Sequence, residues 1–159
     1  MSKIVPCLWF AGEAEQAAQF YVSLLPGSRI DNIQRSVVDT PGGPEGSVLV
    51  VEFTVAGQPF MALNGGTPLP FNHAVSFKID CVDQAEVDRL WDALLAEGGE
   101  PVACGWLRDR YGLSWQTVPV GALKLFAGSN REGAKRAMQA MMQMVKLDVG
   151  ALQRAYAGV

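Results

Sequence analysis

The chain predicts an α+β protein in which one strand-helix-strands unit is written twice and followed by extra C-terminal helices. Three observations carry that expectation. The same order of extended and helical segments occurs at the start and recurs after Asn72. The aromatic residue of each helix face is placed alike, Tyr21 in the first copy and Trp91 in the second, 91 − 21 = 70 positions apart. Between the copies lies NGGTPLPFN, residues 64–72, rich in Gly and Pro and free of helical pattern. A single unit of this kind cannot cover its own sheet, so two copies are expected to pack together and share a core.

The elements follow in order. IVPCLWF reads as the first strand. In GEAEQAAQFYVSLL, Ala14, Ala17, Ala18, Tyr21, Leu24 and Leu25 recur at the spacing of one helix face, and Pro26-Gly27 stop it. SRIDNIQRSVV, GSVLVVEFTVAG and QPFMALNGG read as three more strands, with VDTPGGPEG at 38–46 as a long surface loop. In the second copy AVSFKIDCV alternates Val75, Phe77, Ile79 and Cys81 against Ser76, Lys78 and Asp80. DQAEVDRLWDALLAEGG has Asp83 and Glu86 at capping-box spacing, an apolar stripe through Val87, Leu90, Trp91, Leu94 and Leu95, and a Gly-Gly stop. EPVACGWL and LSWQTVPV close the copy as extended segments. SNREGAKRAMQAMMQMVK then predicts a helix opening on Ser129 and Glu132, with Met138, Met141, Met142 and Val145 on a core-facing stripe. Asp148 caps a last short helix carrying Leu152 and Tyr156. The expected organisation is one domain over 1–159: modules at 1–66 and 72–126, and a helical extension at 129–159.

With 159 residues, 49% hydrophobic and 18% charged, the composition is that of a folded chain that buries a sizeable core. A net charge of -3 and scattered basic residues oppose a nucleic-acid partner, whose phosphates draw on clustered Lys and Arg. Arg108 and Arg110 flank Asp109, a pattern that reads as a solvated turn. Cys7, Cys81 and Cys104 are odd in number and lack CxxC spacing, so neither a disulfide framework nor a thiolate zinc site is expected. No apolar run is long enough for a membrane span, and MSKIVPCLWF lacks the build of a secretory signal. The expected location is the cytoplasm.

The repeat, together with PCLWFAGEAEQAAQFY and CGWLRDRYGLSWQTVP, resembles the vicinal oxygen chelate superfamily of glyoxalase and bleomycin-resistance proteins. More narrowly it is similar to the PhnB-like group labelled 3-demethylubiquinone-9 3-methyltransferase-like, a likeness to which MQAMMQMVKLDVGALQRAYAG adds. The resemblance implies two βαβββ modules forming a cupped eight-stranded mixed sheet, helices outside, the ligand site inside, and a homodimer. In metal-using members, His or Glu side chains from the first and last strands of the modules hold the ion. Carried onto this chain, those positions fall on Pro6, on Ala74 or by a one-residue slip His73, on Gln116, and on Asn64 or Ala62. A divalent ion needs several carboxylates or imidazoles converging on it, and Pro, Ala and an amide do not provide them. The expectation is therefore no metal and no cofactor, with Gln116 in a carboxylate's place doing hydrogen-bond work.

The residues expected to line the cup are Leu8, Glu52, Asn64, Ser76, Lys78, Trp106 and Gln116. Glu52 and Lys78 are either partners for one another or for a ligand, or members of a hydrated outer face. His73, the only histidine, has no evident acid-base partner, and no catalytic residue is assigned. No glycine-rich turn joins a strand to a helix as an adenosylmethionine site would require, so the methyltransferase label reads as a family name. The functional expectation is a protein that binds a small organic molecule in its cup. The alternatives are a metal-dependent lyase, isomerase or dioxygenase, and a self-associating protein whose Met-rich tail is the interface.

Overall fold

The computed structural model describes residues 2–159. Among them are eight strands in two four-stranded mixed sheets, five helices, and two compact units that divide after Pro70.

The first unit runs β1 (Cys7–Phe10), α1 (Ala14–Val22), β2 (Arg29–Arg35), β3 (Val48–Val55) and β4 (Gln58–Asn64). Its sheet has the order β1-β4-β3-β2, with β1 parallel to β4 and the other pairs antiparallel. The β3–β4 hairpin turns on Ala56-Gly57, both at positive φ, the geometry that a two-residue hairpin loop requires. Alternation fixes the core. Tyr21 of α1 stacks on Phe53 with ring centroids 6.1 Å apart, and Phe53 stacks on Phe60 across the hairpin at 5.4 Å. Val51, Ala62 and the α1 residues Ala14, Ala17 and Ala18 are fully buried beside them. Each large apolar side chain so covered contributes about 1.5–3 kcal/mol relative to exposure.

The second unit begins with β5 (Ser76–Cys81) and α2 (Gln84–Leu95). The capping box forms: Asp83 Oδ1 accepts from the Glu86 N–H at 2.8 Å, and Glu86 Oε2 accepts from the Val82 N–H at 2.7 Å. EPVACGWL, expected as one extended segment, is instead β6 (Glu100–Pro101) and β7 (Trp106–Arg108) joined by a reversal. Cys104 and Gly105 both take positive φ there, which no continuous strand accommodates. A Cβ on Gly105 would stand 3.0 Å from Leu147 and from the Thr117 carbonyl, so this close approach at positive φ favours glycine. After β8 (Ser114–Pro119) the order β5-β8-β7-β6 is complete.

Asp109 is not solvated: it is 2% exposed. It accepts from the Tyr111 and Leu113 N–H groups and from Trp115 Nε1. A helix that the sequence reading did not separate from its preceding strand, α3 (Val120–Ala127), follows Pro119 directly.

The chain then forms α4 (Arg131–Met141) and α5 (Val149–Ala157). Asn130, not Ser129, caps α4, its side chain accepting from the Gly133 N–H, while Asp148 caps α5 as expected. Gln84 clamps the start of α5, donating to Leu147 O and accepting from the Val149 N–H. The methionine stripe departs from its expected core role: Met138, Met142 and Val145 are 46%, 57% and 49% exposed. The buried face of α4 consists of Gly133 and Ala137. Among the described residues, no helix is long and apolar enough to cross a membrane.

Candidate functional site

Each sheet has one face packed under its helix and one that the helix leaves open. In the second unit, Ile79, Cys81, Leu107, Trp115 and Thr117 are all buried and alternate with the residues of the open face. On that open face the register lines up Lys78, Gln116 and Trp106 as cross-strand neighbours on β5, β8 and β7. Cross-strand neighbours project to the same side, so an ammonium, an amide and an indole stand in one row. Ser76, two residues before Lys78, joins them: its hydroxyl accepts from Gln116 Nε2 at 2.9 Å. One row along, the buried Ser114 hydroxyl lies 2.9 Å from Nδ1 of the exposed His73. Lys78 is half-exposed and ion-paired with Asp80, so its charge is screened and not spent in a buried bridge.

Four expected site residues, Ser76, Lys78, Trp106 and Gln116, are therefore together. The other three lie in the first unit and separate by parity. Glu52 is on its open face, where Oε2 accepts from Asn32 Nδ2 at 3.2 Å. Leu8 pairs with Ala62, which pairs with Val51, so Leu8 lies on the α1 side and is 5% exposed. Asn64 is buried on that side too. Its Oδ1 accepts from the Ala14 N–H at 2.9 Å and its Nδ2 donates to Val48 O at 3.0 Å. Its amide thus satisfies the first turn of α1, which Glu13 does not cap with its side chain.

Over the open face of the first sheet lies a cavity of about 690 Å³, lined in part by Val5, Arg29, Asp31, Glu52, Thr54 and Met61. Arg29 Nε is 2.7 Å from Asp31, and Asp31 in turn accepts from Thr54 Oγ1 at 2.6 Å. Sequence reasoning missed Arg29 and Asp31. Residues 29 and 31 share a face in an uninterrupted strand, but β2 shifts register between Ile30 and Asn32, so alternation alone does not place them. An apolar floor with a few fixed polar groups is the usual make-up of a small-molecule site.

The donor set does not fit a divalent metal. Pro6 offers only its carbonyl, which accepts from the Met61 N–H. Ala74 has no side-chain donor, and the Asn64 amide is engaged on both atoms. Gln116 is neutral and tied to Ser76. Among the described residues, no group of three or more His, Cys, Asp or Glu is placed to hold an ion.

Neither strand-to-helix turn is glycine-rich, and both are acidic. Gly12 N–H donates to the Glu13 carboxylate at 3.0 Å, and Asp83 and Glu86 close the second turn. Of the thiols, Cys81 is fully buried, and burial, with Glu86 adding to it, pushes its pKa up to about 11. That thiol is a packed side chain and not a nucleophile.

Residues 2–118 match the family described as 3-demethylubiquinone-9 3-methyltransferase. Among solved structures, the chain is similar to a PhnB protein from Bacillus cereus whose description carries the same methyltransferase name. Identity is 35% over 74% of this chain and 99% of that one, with a TM-score of 0.65. A Pseudomonas aeruginosa protein is similar in fold, at 24% identity over 75% of this chain and 98% of that one, with a TM-score of 0.55. No curated protein matches the chain. The family match ends at Val118, so α3, α4 and α5 stand outside it, as do the C-terminal words that the sequence reading had added to the resemblance.

Proposed function

The chain belongs to the 3-demethylubiquinone-9 3-methyltransferase family, and from that premise we propose that it binds a small organic molecule on the open face of its second sheet without a catalytic metal. The observation that carries this reading is the row Lys78, Gln116 and Trp106 with Ser76 bonded to the central amide. An indole offers a flat apolar surface, an amide and a hydroxyl offer neutral donors and acceptors, and the ammonium favours a ligand oxygen carrying negative charge. These groups recognise and orient a ligand. They do not supply the paired acid and base, or the activated nucleophile, that would assign a reaction. The family's methyltransferase name is accordingly not proposed as this chain's activity.

The test is a thermal-shift screen of small organic acids and carbonyl compounds on protein stripped with a chelator. The expected outcome is a compound that raises the melting temperature equally with and without divalent ions, its effect lost in Lys78→Ala or Gln116→Ala. Stoichiometric uptake of manganese or zinc with a large rise in melting temperature would sink the metal-free reading. A homodimer belongs to the same proposal, and mass measured in solution at micromolar concentration decides it.

A further inference from the structure

The segment outside the family match carries a surface of its own. Along α4, Arg131, Lys135, Met138 and Met142 recur at i, i+4, i+7 and i+11, which puts them on one stripe. All four are exposed, whereas Gly133 and Ala137 point the other way, into the packing with α5. Beside the stripe, Phe126 of α3 completes a groove of about 300 Å³ whose lining includes Arg131, Ala134, Lys135 and Met138.

The charges here are not used by the fold. Arg136, on the same helix, is used: its guanidinium donates to Ala155 O at 3.0 Å and Tyr156 O at 2.7 Å, holding the end of α5. Among the described residues, Arg131 and Lys135 make no ion pair. No acidic residue lines the groove, and Glu132, the single acid of α4, projects roughly a quarter turn away. The surface is thus apolar along its floor and positive along its edge, in a chain whose net charge is -3.

We propose that this groove docks an amphipathic helix of a protein partner, its apolar side chains seated on Phe126, Met138 and Met142 and its acidic residues facing Arg131 and Lys135. Flexible thioethers adapt to an inserted apolar side chain, and anchors at i, i+3, i+4 and i+7 match a groove between two helices. Two other occupants are disfavoured by the same residues. A second copy would bring its own Arg131 and Lys135 to the seam and no acidic lining residue to answer them, leaving four cations without an anionic partner. A lipid surface is flat, and its binders carry Trp, Phe and Leu on a projecting helix face, whereas Phe126 here helps to wall a concavity.

The experiment uses the full chain and a synthetic fluorescent peptide helix with Leu at i, i+3, i+4 and i+7 and Glu at the flanking positions. The control peptide carries Lys in place of every Glu. The expected result is saturable binding of the acidic peptide, weakened by salt, and absence of binding by the basic one. The double variant Arg131→Glu, Lys135→Glu should lose at least about tenfold in affinity. Met138→Glu should bind no better, and melting temperatures should stay unchanged because all three side chains face solvent. Equal binding of both peptides, or undiminished binding by the double variant, overturns the proposal. So does a wild-type dimer that Met138→Glu dissociates, or sedimentation with phosphatidylserine vesicles that the double variant abolishes.

Discussion

Asp109 sits between two arginines in sequence, and each of them reaches a glutamate, Glu100 for Arg108 and Glu97 for Arg110. The Asp109 carboxylate accepts from three N–H donors in the turn before β8. Asp109→Asn retains an acceptor for the backbone donors but turns an amide donor toward the indole N–H of Trp115. The expected loss is about 2 kcal/mol, and Asp109→Ala, which strands all three donors, should lose about 3 kcal/mol or more. Urea denaturation measures both. Cys81 gives a pH dependence whose sign follows from its raised pKa. The unfolded chain sheds the thiol proton near 9.0, whereas the folded chain keeps it until about 11. Over that window the folded state binds more protons, so stability is full below pH 9 and falls toward pH 11. Cys81→Ala should flatten this part of the stability profile. At this scale the sequence was partly legible. Lys78 was read as a site residue from alternation and Gln116 from the resemblance, but Leu8 lies in CLWF, which is apolar at every position and carries no parity signal. Asn64 looked like a ligand-facing amide because only the folded hairpin reveals the Ala14 N–H that it satisfies.

At the scale of elements, periodicity located α1 and α2 well, because each has an apolar stripe and a glycine-containing stop. It failed where geometry is set by single backbone conformations. The β6–β7 reversal depends on positive φ at Cys104, a residue type that does not announce it. The methionine stripe shows a different limit: its spacing identifies a face, but whether that face is covered depends on where α3 and α5 pack. α5 is capped by Asp148, tied at its end by Arg136, and clamped to α2 at its start by Gln84. Gln84 bridges Leu147 O and the Val149 N–H at 3.0 and 2.8 Å, and Lys146 bonds Asp88 at 2.7 Å nearby, holding the Asp88 carboxyl below its ordinary pKa together with Gln84. Gln84→Ala should cost about 1–2 kcal/mol and raise amide hydrogen exchange across residues 149–157, with β5 and β8 protected as before. Uniform loss of protection through the second unit would show that the clamp is global and not local.

At the scale of the whole chain, the repeated order of elements was visible in the sequence because each copy keeps its own helix pattern and the Gly/Pro-rich segment separates them. The role of the residues after Val118 was not, since the family match stops there and nothing in a helical pattern tells whether a tail is appended or integral. Four observations argue that it is integral to the second unit. Cys104 and Gly105 donate their N–H groups to Met144 O and Val145 O, each at 2.8 Å, and so tie the β6–β7 reversal to the segment after α4. Leu147 is 1% exposed and fills the space that the missing Cβ of Gly105 leaves. Leu152 of α5 is fully buried. Ending the chain at Gly128 would remove both leucines, at about 2–5 kcal/mol for each buried side chain lost, and would leave two loop N–H groups without partners. That total approaches the stability of a small domain. The shortened chain should therefore lose the cooperative unfolding of residues 71–128 while amide protection survives in β3 and β4, whose core is Tyr21, Phe53 and Phe60. If hydrogen exchange instead finds β5 and β8 protected as in the full chain, the extension is an appendage, and its buried leucines merely cover a surface that is stable without them.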